Sequence, residues 1–217
     1  MIEKKTEIEA KFLCADALDF DALLGVVDIL GFRYLKEEPR LQADIYLDTP
    51  QYTLLHSGSA FRIRQRGESY TGAYKVACKQ NGAIFERKEF EWILSHDEIR
   101  LWNEEKKPTI PPAIMNELDL RGQTLRKVLV AETNRSAGII TSNDGFKVEL
   151  SLDDVTFRGH RGQKKYREIE IELLDGQFEQ FQALTQRLQN HFSLQPAADS
   201  KYTQGMMLVG KYGTSPA

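Results

Sequence analysis

The chain has little cysteine. Cys14 and Cys78 are the only two among 217 residues, far apart and outside any metal or redox spacing, which excludes a disulfide framework and predicts two buried thiols. Histidine is nearly as scarce. His56, His96, His160 and His191 are scattered, so neither a histidine-centred metal site nor a nucleophilic triad is supported. Long apolar runs are missing too. The opening MIEKKTEIEAKF is broken up by charge, so neither a secretory signal nor a membrane span is expected, and a cytoplasmic protein with no membrane partner is. The net charge of -3 is too small to imply a general nucleic-acid surface, so no nucleic-acid partner is expected. Low-complexity tracts and short-period repeats are also absent.

What is present is ordinary in bulk and unusual in its placement. Hydrophobic residues make up 41% and charged residues 28%, which suits a folded globular chain. The length favours one domain over residues 1–217. A first strand holds EIEAK, where Glu7, Glu9 and Lys11 share one face while Ile8 and Ala10 share the other. A helix follows from about Asp19 to Leu30, with Asp19 as its cap and Gly31 at its end. QADIYLDT then repeats the division, with Asp44, Tyr46 and Asp48 opposite Ile45 and Leu47.

The next strands turn basic. AFRIRQR places Arg62, Arg64 and Arg66 on one face, YKVACKQ places Lys75 and Lys79 together, and ERKEFEW groups Arg87, Glu89 and Glu91. Trp92 has the apolar parity and reads as an outward core residue, and Asn81-Gly82 reads as a hairpin turn. Around residues 95–125 the alternation weakens into an irregular or helical excursion marked by Pro108, Pro111 and Pro112. Strands resume from about Leu125. KVELSLD sets Lys147, Glu149, Ser151 and Asp153 against Val148, Leu150 and Leu152, and YREIEIEL sets Glu168, Glu170 and Glu172 against Ile169, Ile171 and Leu173. Helices are expected at Gln177–His191 and Lys201–Leu208.

Alternation alone leaves two arrangements open: an open antiparallel sheet with a solvated face, or a closed barrel that encloses the charges. In the second, Arg62, Arg64, Lys79 and Arg135, with Lys11, suit the spread charge of a polyphosphate. Glu7, Glu9, Glu168 and Glu170 are hard oxygen ligands suited to Mg2+ or Mn2+. Glu91 and Asp153 are candidates to orient an attacking water.

In order along the chain, EIEAK (7–11), FRIR (61–64), CK (78–79), Asp153 and EIE (168–170) resemble the CYTH superfamily, also called triphosphate tunnel metalloenzymes. The resemblance runs from about Thr6 to Leu208 and implies a predominantly antiparallel β fold with flanking helices: a closed eight-stranded barrel forming a charged tunnel. It implies metal-site roles for Glu7, Glu9, Glu168, Glu170 and Asp153, and phosphate contacts for Lys11, Arg62, Arg64, Lys79 and Arg135. Glu89, Glu91 and Asp153 would be tunnel or metal-water partners, giving a catalytic group of Glu7, Glu9, Lys11, Glu91 and Asp153. Lys201, within SKYTQG, resembles the family's C-terminal segment and would bind phosphate while closing or positioning one tunnel end. Tyr46 and Asp48 resemble its early YxD pair.

KEFEW (88–92), TNR (133–135) and VELSLD (148–153) are similar to bacterial inorganic triphosphatases, here without their additional helical domain; ACK (77–79) departs from the TLK-like sequence of that group. The implied reaction is Mg2+- or Mn2+-dependent hydrolysis of inorganic triphosphate to pyrophosphate and phosphate. The same tunnel suits a nucleoside or organic triphosphate, as in a class IV adenylate cyclase, a thiamine triphosphatase or a noncatalytic binding module. A homodimer is left open.

Overall fold

In the computed structural model, residues 2–14, 18–76, 79–105, 108–118 and 120–211 are described. Cys78 lies outside them. The first half of the chain runs β1 (Ile2–Leu13), α1 (Phe20–Ile29), β2 (Arg33–Lys36), β3 (Arg40–Asp48), α2 (Thr53–His56), β4 (Ala60–Arg66), β5 (Ser69–Lys75), β6 (Lys79–Asn81) and β7 (Ile84–Leu94). The excursion contains α3 (His96–Glu105) and α4 (Pro112–Met115). The chain then continues through β8 (Arg126–Thr141), β9 (Lys147–Gly159), β10 (Gly162–Asp175), α5 (Phe178–Phe192), β11 (Gln195–Pro196) and α6 (Lys201–Val209).

Eight of these strands close on themselves in the order β1, β10, β9, β8, β3, β4, β5, β7, all antiparallel, and β7 pairs back to β1 from Ile2↔Trp92 to Ala10↔Ile84. The barrel arrangement is therefore the one adopted. Local chemistry places its ends. Asp19 accepts the Ala22 N–H at 2.7 Å to start α1, and Gly82 takes a φ of 59° in the turn between β6 and β7, where a Cβ would be strained.

Parity then sorts the side chains into three clusters. On one outer side, Ala10, Phe12, Leu150, Leu152, Ile169 and Ile171 pack under α1 and α5. On the other, Phe61, Ile63, Phe90, Trp92 and Leu94 are covered by the excursion through Ile99, Ile114, Leu118 and Leu120. Trp92 fits there because Gly72 faces it, where an added Cβ would come within 2.3 Å of the indole. The third cluster lies on the inner face: Tyr46, Ala60, Leu129, Ala131, Val155 and Phe157 receive Tyr202, Met206 and Val209 of α6. One end of the barrel is thus filled by its own C-terminal helix. No described helix is long and apolar enough to cross a membrane.

Candidate functional site

Beyond the apolar plug the inner face is almost wholly charged. It bounds a cavity of about 280 Å³ lined by ten cationic side chains and seven carboxylates. Three more carboxylates, Asp44, Asp153 and Glu168, are fully buried and paired with those lining cations, which makes ten of each sign. A wall this dense in charge survives burial only because opposite charges interleave.

The ion pairs follow the strand register. On β1, Glu7 accepts from Lys75 at 2.6 Å and lies 3.1 Å from the Arg87 Nε, while Glu9 accepts from Arg87 and lies 3.2 Å from Lys11. Burial pushes the Glu7 carboxyl up, but the Lys75 and Arg87 charges outweigh it and hold the group well below the usual carboxylate range. Lys11 also donates to Glu170 at 2.7 Å, as its position opposite Glu170 on β10 permits. Arg64 holds Asp44 in a fork at 2.6 and 2.8 Å, and Arg135 grips Asp153 in the same way at 2.7 and 2.6 Å. Arg62 is held more loosely. Its ion-pair contacts to Asp44 and Glu89 are both 3.6 Å, and its Nε has no hydrogen-bond partner among the described residues, so its donors are available.

Asp153, Glu168 and Glu170 present ligand oxygens that all lie within 4.8 Å of one another. Both Glu168 oxygens are buried with no well-aligned hydrogen-bond donor among the described residues, and burial, foremost, raises its carboxyl pKa. Hard oxygens at this spacing fit a divalent cation. Lys201 brings a positive charge to these carboxylates: its Nζ sits 2.6 Å from Asp153, 2.8 Å from Glu168 and 3.7 Å from Glu170. It arrives there because it opens α6, capped by Ser200, directly before the plug residue Tyr202.

Most of the residues singled out in the sequence converge here. Glu7, Glu9, Lys11, Arg62, Arg64, Glu91, Arg135, Glu170 and Lys201 line the cavity, with Asp153 and Glu168 immediately behind. The carboxylates do not form one group, however. Glu7 and Glu9 stand across Lys11 from the triad of Asp153, Glu168 and Glu170.

Lys79 is the exception. Lys75 faces Glu89 on β7, but Lys79 faces Glu86, so four residues on one side match three on the other. That one-residue shift reverses the parity. Lys79 is exposed in β6 beside Glu86, outside the cavity lining, and Lys75 and Arg87 supply the cations at this wall. Arg87 shares its strand face with Glu89 and Glu91, and that parity is the sequence signal for its place in the wall. Glu149 and Glu172 likewise carry the parity of Asp153 and Glu170. Lys5 carries the parity of Glu7 and Glu9 within β1, and Arg40, the first residue of β3, carries that of Asp44.

A match to the CYTH domain family covers residues 5–206. Three solved structures share the architecture. A candidate adenylate cyclase from Bacillus halodurans is 21% identical, with a TM-score of 0.63 over 93% of this chain and 97% of that one. A candidate adenylyl cyclase from Hippeastrum, described as having a dominant triphosphatase activity, is 18% identical, with a TM-score of 0.62 over 94% and 96%. The PH1819 protein of Pyrococcus horikoshii is 18% identical, with a TM-score of 0.56 over 93% and 98%. Barrel, inner charges and family match agree, and the chain belongs to the CYTH family.

Proposed function

We propose that residues 1–217 act as one tunnel domain that hydrolyses inorganic triphosphate to pyrophosphate and phosphate with Mg2+ or Mn2+. The observation that carries this reading is the charge balance of the wall, ten cations against ten carboxylates. A triphosphate brings several negative charges into a tunnel with no net positive charge to spare. Its oxygens would take over the cations, and the released carboxylates would need a cation of their own.

The carboxylates of Glu7, Glu9, Glu168 and Glu170, with Asp153 behind, are the groups that would hold the metal. When bound, the metal neutralises phosphate charge and makes a water more acidic. The chain's own residues do the positioning. Arg62, with unpartnered Nε, and Lys11, between Glu9 and Glu170, reach the phosphate oxygens, as do Arg64 and Arg135. Glu91, on the same wall, orients water. Asp153 aims Arg135 and Lys201. Water attacks a terminal phosphorus, the bridging P–O bond breaks, and its electron pair leaves with pyrophosphate.

The lining also favours an inorganic substrate. About 280 Å³ falls just below the range of volumes that hold drug-sized ligands. The lining tyrosines, Tyr46 and Tyr202, are buried against each other at the filled end, 5.0 Å apart and stacked, so they offer no face to an adenine. The dominant triphosphatase activity of the Hippeastrum protein supports hydrolysis over cyclisation.

A product-resolved assay with tripolyphosphate, ATP and thiamine triphosphate tests the reading. Phosphate release from tripolyphosphate that requires a divalent cation is expected. Cyclic AMP from ATP, or no turnover with either metal from neutral to alkaline pH, would overturn it.

A further inference from the structure

Nine of the ten cations lining the cavity have a carboxylate within 4 Å: Lys5, Lys11, Arg40, Arg62, Arg64, Lys75, Arg87, Arg135 and Lys201. Arg66 alone has none among the described residues. Its Nε donates instead to the neutral Gln42 amide, 3.0 Å from Oε1. Gln42 is 4% exposed, and its own Nε2 is buried with no partner among the described residues, so an unsatisfied amide donor stands beside a guanidinium that no carboxylate neutralises.

The position is as informative as the pairing. β4 begins at Ala60, packed against the α6 plug, and ends at the exposed Arg66, so Arg66 marks the unplugged end of the tunnel. It lies two residues beyond Arg64 on the same face, about 6.8 Å further along the strand. Partial burial and the guanidinium groups of Arg64, Arg40, Arg135 and Arg62 push its pKa down to about 10, so it stays charged at neutral pH while being repelled on several sides. An anion bound there relieves that repulsion.

We propose that Arg66 and the Gln42 amide form an anion subsite at the open rim, which takes the phosphoryl end farthest from the Asp153, Glu168 and Glu170 triad. The subsite makes the protein select a triphosphate whose far end is a free phosphoryl group over one whose far end is esterified. It rests on the triphosphate reading above and deepens it. A free end carries an additional ionisable oxygen, and Arg66 can meet it without first surrendering a carboxylate. An ester at that end carries less charge and presents bulk to a cationic rim.

Calorimetric titration of the whole chain with tripolyphosphate and with ATP, each with Mg2+ present, tests the assignment. Arg66→Gln is expected to weaken tripolyphosphate binding about 10-fold, as for loss of one charge-assisted contact, to change ATP binding little, and to melt at the wild-type temperature. Arg66→Lys should recover part of the loss. Unchanged tripolyphosphate affinity, or equal weakening of both ligands, overturns the subsite. Because titration needs no turnover, a protein that fails to hydrolyse tripolyphosphate sinks the proposed reaction without deciding this result.

Discussion

Tyr202 donates its hydroxyl hydrogen to Asp48 across 2.7 Å, with both residues shut off from solvent. Asp48 already accepts from the backbone N–H groups of Thr49, Leu54 and Leu55 at the end of β3 and the start of α2. The bond therefore ties the plug helix to a rigid corner. Because Lys201 precedes Tyr202, the same bond sets how far the Lys201 ammonium reaches into the acidic triad.

Tyr202→Phe keeps the ring stacked on Tyr46 but leaves Asp48 short of one donor. Thermal and denaturant unfolding should show a loss of about 1.5–3 kcal/mol, the usual worth of a hydrogen bond to a charged group. Burial, then the Asp48 charge, raises the Tyr202 pKa, so the wild-type bond persists through alkaline assays. Triphosphate turnover should fall along with stability, because Lys201 loses its fixed origin.

The register shift between β5 and β6 makes a contrast between two lysines. Lys75→Ala removes the partner of Glu7 and a neighbour of Glu89, and kcat should drop about 100- to 1000-fold if Lys75 acts as a strong oxyanion donor. Lys79→Ala, on an exposed surface, should leave kcat near wild type. Equal losses in the two variants would mean that Lys79 reaches the tunnel after all.

Asp44 is fully buried between Arg62 and Arg64. Asp44→Asn leaves two guanidinium groups without their common counter-charge, and unfolding experiments should register a loss of about 3–5 kcal/mol. Burial raises the Asp44 pKa, but Arg64 and Arg62 outweigh it and hold the group below its ordinary value. A depressed carboxylate stabilises the fold above its unfolded pKa of about 3.9 and loses that contribution as pH falls towards the folded value. The wild type should therefore lose stability on acidification below about pH 4, and the variant should lose less over that interval.

Gly205 lets α6 approach the barrel. A Cβ there would lie 2.4 Å from Leu129 Cδ2 and 2.8 Å from the Phe157 ring. Gly205→Ala should overpack this end and cost about 1–3 kcal/mol in thermal unfolding. Adding Leu129→Ala should restore part of the loss in a double-mutant comparison, since it removes the nearest clash.

Much of this site was legible because strand parity is a local property. EIEAK, FRIR, KVELSLD and YREIEIEL each declare two faces, and Glu7, Glu9, Arg62, Arg64, Asp153, Glu168 and Glu170 all fall on the charged one, which the barrel turns inward. The start of α1 at Asp19 is readable for the same reason, since a cap acts over a few residues, and α5 is readable from its apolar face of Phe178, Phe181, Leu184 and Leu188. Lys79 shows where this reasoning stops. Parity carries through a strand only while register holds, and the shift near residues 75–79 depends on pairing with a partner strand that comes later in the chain.

Strand parity and residue type set which faces are charged, which residues share them, and that hard oxygen ligands accompany clustered guanidinium groups. Closure belonged to the tertiary structure, because the β1–β7 hydrogen bonds join residues more than seventy positions apart and turn a solvated face into an enclosed one. So did the pairing of each charge. Lys75 with Glu7, Lys201 with Asp153 and Arg66 with no carboxylate among the described residues follow from where curved strands and a docked helix bring side chains within 4 Å. Spacing along one strand carries no information about a distance set by eight.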